Sequence, residues 1–128
     1  IDIQYVKDII AVKKLTSVAN ASNELLGILQ LRGNMMSVFD FRALLHVTAT
    51  PQTKKSRILI IDYNGVEFGL LVDEVAQVLK LNDVKIEKVQ HSEQTKKSTI
   101  IQGVTQIQNR AVFMLALEEI VSAVVLEQ

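Results

Sequence analysis

GILQLRGNMMSVFDFRALL, residues 27–45, is the stretch that decides the fold, because the chain carries a second version of it. Moved 76 positions along the chain, it aligns without a gap with GVTQIQNRAVFMLALEEIV, residues 103–121. Gly27 meets Gly103, and apolar positions meet apolar positions along most of the length. Self-similarity at a fixed spacing indicates one supersecondary unit built twice. Two copies predict a paired, pseudo-symmetric domain.

Each copy has the pattern of two strands, a tight turn and a short helix. Leu29 and Leu31 alternate with polar Gln30, which is the period of a strand. Gly33-Asn34 then supplies residues that tolerate a positive φ, as a tight turn requires. A second apolar strand is predicted over residues 35–41. The helix is predicted from apolar residues of the second copy that recur three and four positions apart, namely Leu117, Ile120, Val121 and Val124.

A second internal sequence similarity extends the repeat to other parts of the chain. At a shift of 66, residues 6–15 align with residues 72–81. The spacing of residues 72–81 fits a helix face or a strand, and their β-branched content favours a strand. We therefore expect a single domain with halves at about 1–46 and 57–128. Residues 47–56, which include the only proline, form the predicted connector.

A β-hairpin is the strongest local signal in the chain. Arg57–Tyr63 and Val66–Val72 flank Asn64-Gly65, the pair that a type I′ turn prefers. The repeat places an equivalent hairpin strand before Ile1, where this sequence has none. We therefore expect either a trimmed piece or a first half-barrel that borrows a strand from elsewhere. The open N-terminal sheet edge would then permit strand exchange or self-association.

Composition excludes several classes of function. The 128 residues form one domain, with 48% apolar and 22% charged residues. Fourteen basic and fourteen acidic residues cancel, so no charge excess points to nucleic acid or to an anionic membrane. Apolar runs are too short for direct membrane insertion, and no cysteine is present. These features predict a cytoplasmic domain.

The sequence contains no recognisable catalytic or cofactor motif. His46 and His91 are the only histidines, and both fall in predicted loops, so a metal site is not expected. Asp73-Glu74 and Glu118-Glu119 are adjacent carboxylates, and such neighbours in a strand point to opposite faces. No phosphate-binding glycine loop or nucleophile elbow occurs. We expect no enzyme activity, no metal and no cofactor.

Several motifs, taken in order, resemble the CheW-like domain, the coupling module of bacterial chemotaxis. They are Ile1-Asp-Ile-x-x-Val-x-Asp-Ile9, Leu26-Gly-Ile-x-x-Leu-Arg-Gly33, Phe39-Asp40-Phe41, Gly69-Leu-Leu-Val-Asp73, and Gly103 before Asn109-Arg110. The resemblance implies a mainly β fold of two pseudo-symmetric, five-stranded, SH3-like barrels with short helices. It also implies a non-catalytic adaptor that couples the cytoplasmic tip of a methyl-accepting chemoreceptor to the regulatory domain of a CheA-type histidine kinase.

The resemblance implies that the receptor-binding residues are Val6, Asp8, Arg32 and Gly33. Asp8 stands where the family usually has a glutamate. The second copy has Gln108 at the position of Arg32, so the repeat itself does not require a charge there. Arginine is common among interface anchors. The plain alternatives are a core position for Val6 and ordinary surface charges for Asp8 and Arg32.

The resemblance also implies a kinase-binding strand pair. Its residues are Ile58, Ile60, Gly69 and Leu71. We expect part of the run Ile58–Ile61 to be exposed at a sheet edge, because a small barrel has too little interior to bury all of it. Gly27 and Gly103 are expected to serve backbone geometry, since a glycine within a strand marks a bulge or a close approach.

The rival interpretation is a small β-barrel that binds nucleic acid or a protein outside chemotaxis. Binding to nucleic acid requires a basic face with aromatic stacking platforms. The chain has four phenylalanines, two tyrosines and a net charge of zero. The adaptor is therefore the favoured interpretation.

Overall fold

The structure is a computed structural model that describes residues 1–19, 23–45, 52–78, 86–88 and 100–126. Its elements, in chain order, are a 3-10 helix at Ile3–Tyr5, β1 at Val6–Ala11, β2 at Leu25–Leu31, β3 at Asn34–Asp40, α1 at Phe41–Leu44, β4 at Arg57–Tyr63, β5 at Val66–Val72, β6 at Glu87–Lys88, β7 at Ile101–Ile107, β8 at Arg110–Leu115 and α2 at Leu117–Leu126. His46 and His91 lie outside the described residues, as does half of the predicted connector, residues 47–51.

The strands form two sheets, which confirms the mainly β class. The first sheet has the order β1-β4-β5-β3-β2, and the second has the order β6-β7-β8. Neither is a closed barrel over the described residues, so the expected pair of five-stranded barrels is wrong in that detail. The first sheet curls because Thr16, which follows β1, bridges to Ile28 of β2. Backbone hydrogen bonds of 2.9 and 2.8 Å join these two residues.

The two copies of the repeated stretch have matching backbones. The shift of 76 carries β2 onto β7 residue for residue, and both strands have a register irregularity just before their glycine, Gly27 or Gly103. The match extends to single hydrogen bonds. The amide of Asp40 donates to the carbonyl of Glu24, and the amide of Ala116 donates to the carbonyl of Ile100, both at 2.8 Å.

The turn of each copy lies one residue earlier than predicted. Positive φ angles occur at Arg32-Gly33 and at Gln108-Asn109. Asn34 and Arg110 are already the first residues of β3 and β8, paired with Leu31 and Ile107. A two-residue hairpin turn of type I′ has positive φ at both central positions, which fixes the turn at these pairs.

The predicted β4–β5 hairpin is confirmed, but its position in the fold was not anticipated. Asn64 and Gly65 have φ angles of 50° and 93°, and the Asp62 carboxylate accepts a hydrogen bond from the Gly65 amide at 3.0 Å. β4 pairs antiparallel with β1, while β5 pairs in parallel with β3. The hairpin, which the sequence analysis assigned to the second half, therefore completes the sheet of the first copy.

The strand predicted over residues 72–81 is wrong over most of its described part. Val72 is the last residue of β5, and residues 73–78 have no regular secondary structure. Residues 79–81 lie outside the described residues. A strand needs a hydrogen-bonded neighbour, and no described residue pairs with 73–78, so apolar pattern alone did not make a strand here.

Two apolar clusters lie on opposite faces of the first sheet, since side chains alternate along each strand. The inner core consists of Leu29, Met36, Val38, Ile58, Ile60 and Leu71. The shared core consists of Phe39, Leu44, Leu59, Ile61, Phe68, Leu70, Ile100, Leu117, Ile120 and Val124. The shared core includes residues of both copies and of α2. It joins the two copies of the repeat into one packed body.

Candidate functional site

An exposed ion pair joins two residues that the motifs had singled out. Arg32 lies in the β2–β3 turn with φ 51°, and 78% of its side chain is exposed. Its Nη2 lies 3.4 Å from Oδ2 of Asp8 in β1, whose side chain is 34% exposed. β1 and β2 are the two outer strands of the first sheet. Curling of that sheet brings these residues together from distant positions in the sequence.

The backbone around Asp8 directs its carboxylate. The β1–β4 register shifts between Val6 and Asp8. Oδ1 of Asp8 accepts a hydrogen bond from the amide of Ile9 at 2.8 Å, while Oδ2 faces Arg32. The neighbouring Lys7 makes its own pair with Glu67 at 3.2 Å. Both oxygens of Asp8 are thus engaged, and the pair has a defined orientation at the surface.

Gly33 and Val6 have different environments. Gly33 has φ 82°, and a Cβ placed on it would meet no atom within 4 Å. It is therefore an open turn residue beside Arg32. Val6 is partly buried and packs against the shared core. The structure thus places Val6 in the partly buried core position that the sequence left open as an alternative.

Met35 adds an apolar group that sequence reasoning missed. It follows the turn in β3, faces Gln30 across the hairpin and is 72% exposed. An exposed methionine that follows the Arg32-Gly33 turn offers an adaptable apolar contact close in sequence to the charged Arg32. Residues 35–41 were predicted as one apolar strand, and that pattern did not indicate that Met35 at its start faces solvent.

The predicted kinase-binding strands are buried at the centre of the sheet. β4 lies between β1 and β5, and β5 lies between β4 and β3, so neither is an edge. Three of the four predicted side chains are at most 3% exposed, and Gly69 is buried among them: Ile58, Ile60, Gly69 and Leu71. The expected exposure of this segment is wrong. The sheet has a core on each face, so alternate residues of an unbroken apolar run are all buried.

Gly27 and Gly103 lie where another backbone passes close by. A Cβ on Gly27 would lie 2.6 Å from the carbonyl oxygen of Thr16. A Cβ on Gly103 would lie 2.9 Å from the carbonyl oxygen of Glu87. No other residue fits such an approach without a backbone shift. The close contacts hold the segments around Thr16 and Glu87 against β2 and β7.

A buried arginine also escaped sequence reasoning. Nε of Arg42 lies 3.3 Å from Oδ1 of Asp40, and Nη1 lies 3.0 Å from Oδ1 of Asp73. The side chains of Arg42 and Asp40 are only 11% and 8% exposed. Asp40 also accepts a hydrogen bond from the Arg42 amide at 3.0 Å, as the cap of α1. The signal was available: an aspartate ends an apolar strand, and an arginine follows two residues later.

The described residues were searched for metal-binding clusters, for open cavities and for membrane-spanning helices. Within these residues, no group of three or more histidine, cysteine, aspartate or glutamate side chains could hold a metal ion. An open cavity of about 490 Å³ beside the Thr16–Ile28 bridge is lined by Lys13 and Lys14 without an acidic partner among its lining residues. Over the same residues, no helix has the length and apolar character needed to cross a membrane.

Comparison with known proteins gives the family and the fold of this chain. A profile of the CheW-like domain matches residues 1–125. The chain belongs to the CheW-like domain family. Chemotaxis protein CheW of Bacillus subtilis strain 168 is 30% identical over 110 residues, which cover 86% of this chain and 70% of that protein. Chemotaxis protein CheW of Rhizobium meliloti strain 1021 is 26% identical over 120 residues, 94% of this chain and 77% of that protein.

A solved structure shows the same fold for this CheW-like domain. The crystal structure of the scaffolding protein TtCheW from Thermoanaerobacter tengcongensis superposes with a TM-score of 0.79. The match covers 90% of this chain and 78% of that chain at 23% sequence identity. The backbone arrangement that brings Asp8 and Arg32 together therefore belongs to a fold that a known scaffolding protein adopts.

Proposed function

We propose that this CheW-like domain is a non-catalytic scaffold of bacterial chemotaxis that couples chemoreceptor tips to a CheA-type histidine kinase in the cytoplasm. Membership of the CheW-like domain family supports a binding role. The observation that carries the proposal is the exposed Arg32–Asp8 pair, which the fold assembles from two distant segments.

The proposed receptor-facing surface consists of Val6, Asp8, Arg32, Gly33 and Met35, of which Val6 also packs against the shared core. An exposed ion pair contributes little to folding, typically about 0–1 kcal/mol, so stability alone gives little reason for this arrangement. Its value lies in presenting an arginine fork in a fixed place to a partner carboxylate or carbonyl. Met35 adds an apolar contact that can adapt to the receptor side chains.

The kinase-facing role of Ile58, Ile60, Gly69 and Leu71 is indirect in this proposal. Ile58, Ile60 and Leu71 make up half of the inner core, and Gly69 is buried. They contribute to kinase binding by holding the sheet in shape, and the contact atoms come from its rim. The domain then acts geometrically, because two partners bound to one rigid sheet are kept at a fixed separation.

The test compares Arg32 with its counterpart in the second copy. Arg32→Ala is expected to weaken binding to a receptor signalling-tip fragment about tenfold or more, which is about 1.4 kcal/mol. Gln108→Ala is the matched control, because Gln108 has nearly the same φ, 52°, in the equivalent turn. Receptor binding is measured by titration, kinase binding by co-sedimentation with a CheA-type regulatory domain, and folding by thermal melting.

The expected pattern is loss of receptor binding by Arg32→Ala alone, with kinase binding and the melting temperature unchanged. Equal effects of the two substitutions would contradict a receptor-facing role for Arg32. A fall of several degrees in the melting temperature would instead make Arg32 a structural residue. Salt-sensitive retention of the unmodified domain on single-stranded DNA would favour the nucleic-acid alternative, which the family membership does not support.

A further inference from the structure

The turn of the β4–β5 hairpin joins an asparagine to a glycine. Asn64 and Gly65 are its two central residues, both are exposed, and their φ angles are 50° and 93°. Asparagine is one of the chemically labile residues of proteins. The backbone nitrogen of the next residue can attack the side-chain amide, and a glycine hinders that attack least because it has no Cβ. A Cβ on Gly65 would meet no atom within 4 Å, so the turn is open.

A hydrogen bond holds the nitrogen that would make this attack. Oδ1 of Asp62 accepts a hydrogen bond from the Gly65 amide at 3.0 Å. Such a bond to a charged acceptor is stronger than one between neutral groups. The amide must lose both this bond and its proton before its nitrogen can attack, and the negative charge of Asp62 disfavours that loss. Asp62 therefore slows the reaction, which proceeds when the exposed turn opens locally.

A second asparagine of similar conformation lies in a different chemical setting. Asn109 is exposed, has φ 63° and lies in the two-residue turn between β7 and β8. The residue after it is Arg110, which has a Cβ and whose backbone already belongs to β8, paired with Ile107. Turn length and exposure are the same at the two asparagines, and the following residue differs. Asn109 is therefore a reference site within the same chain.

We propose that Asn64 is a site of spontaneous deamidation whose rate is limited by the hydrogen bond from the Gly65 amide to Asp62. The Gly65 nitrogen forms a bond to Cγ of Asn64 and gives its proton to solvent. The side-chain nitrogen takes up a proton and leaves as ammonia. One water molecule then opens the succinimide ring, which yields aspartate or isoaspartate at this position. The net change is the exchange of an amide and water for a carboxylic acid and ammonia.

The product alters a hairpin at the centre of the first sheet. Asp62 and Glu67 already face each other across the hairpin, so a new carboxylate in the turn adds a third negative charge near its end. Like charges that face each other across strands are destabilising. Isoaspartate also lengthens the main chain by one atom within a two-residue turn, whose closing pair is Tyr63 with Val66. Deamidation therefore loosens the hairpin.

The test incubates the intact 128-residue chain in mildly alkaline buffer and maps its peptides by mass spectrometry over time. Deamidation is measured from the mass gained when an amide becomes an acid, and isoaspartate from labelling with an isoaspartate methyltransferase. Asn64 is expected to react about tenfold faster than Asn109 in the same sample. Asp62→Ala is expected to raise the rate at Asn64 about tenfold and to leave the rate at Asn109 unchanged.

Three controls assign the effect to the hydrogen bond. Asp62→Asn keeps an oxygen that can accept from the Gly65 amide, so it should react more slowly than Asp62→Ala. Glu67→Gln removes the neighbouring carboxylate and leaves the bond to Gly65 in place, so the rate at Asn64 should not change. In urea, where the turn is unfolded, the unmodified chain and Asp62→Ala should react at equal rates.

Several results would overturn the proposal. They are equal rates at Asn64 and Asn109, a slower reaction in Asp62→Ala, equal acceleration by Glu67→Gln, and an effect of Asp62→Ala that persists in urea. The deamidated fraction, separated by anion exchange, is expected to melt at a lower temperature than the unmodified protein. An unchanged melting temperature would contradict the loosened hairpin.

Discussion

Arg42 is the residue whose surroundings were hardest to foresee and whose removal should cost the most. It contacts Asp40, which is buried, and Asp73, which is 62% exposed. Water can solvate Asp73 when Arg42 is lost, but it cannot reach Asp40 as freely. A buried carboxylate without its cation is strongly unfavourable, because desolvation is no longer offset by charge pairing.

We therefore predict that Arg42→Ala lowers the free energy of unfolding by about 3 kcal/mol. The measurement is urea denaturation followed by circular dichroism. Glu118→Ala is the matched control, because Glu118 occupies the equivalent position in the second copy and is exposed. Adding Asp40→Asn to Arg42→Ala should recover part of the loss, since the charge goes while a capping side chain stays. No recovery would show that the cost comes from lost packing alone.

Sequence motifs pointed to Asp8 and Arg32 but not to Arg42. The family resemblance singled out Asp8 and Arg32 from two separate motifs. In the structure the curled first sheet brings these two residues into an ion pair. Arg42 was not predicted as a site residue because its partners include Asp40, two residues away, and Asp73, which follows a different strand. Local spacing suggests the first contact and gives no information about the second.

At the scale of elements, the β4–β5 hairpin is the centre of the first sheet. Leu71 is 3% exposed and pairs with Ile58 in the inner core. Truncating a buried leucine costs both its transfer free energy and the cavity it leaves. Any loss of kinase binding when Leu71 is substituted should then be explained by the smaller fraction of folded protein.

We predict that Leu71→Ala lowers the free energy of unfolding by about 3 kcal/mol. Leu71→Asp should prevent folding, because it places an unpaired charge in the core. Met35→Ala is the control, since this exposed side chain should change stability by less than about 0.5 kcal/mol. Urea denaturation and kinase titration are measured on the same samples. A fully folded Leu71→Ala that no longer binds kinase would assign Leu71 to a direct contact.

Element boundaries were easier to predict than element neighbours. The Asn64-Gly65 turn and the alternation around Gly27 gave β2, β3, β4 and β5 from local chemistry. Their order in the sheet depends on a parallel β3–β5 pairing between distant segments, and such pairing leaves no local pattern. The same limit explains the wrong prediction for residues 73–78. Their apolar spacing suits a strand, but no described residue pairs with them.

At the scale of the whole molecule, the shared core makes the two copies depend on each other. Ile120 and Val124 of α2 are fully buried in it, together with Phe39 and Phe68 of the first sheet. A scaffold that holds two partners at a fixed separation requires such a common core, since two halves joined only by a flexible linker would not fix the distance between the partners. One common core predicts one cooperative unfolding transition.

We predict that tyrosine fluorescence and far-ultraviolet circular dichroism report the same urea midpoint. Tyr5 and Tyr63, the only tyrosines, pack 4.8 Å apart between ring centroids beside the first sheet, while circular dichroism follows both sheets and α2. Ile120→Ala, in α2, should move both midpoints equally and cost about 2–5 kcal/mol. Val125→Ala is the control, because Val125 is half-exposed on the same helix and should shift neither. If Ile120→Ala shifted the circular dichroism midpoint but not the tyrosine fluorescence midpoint, the two copies would unfold separately. That result would contradict a rigid scaffold that holds two partners through one common core.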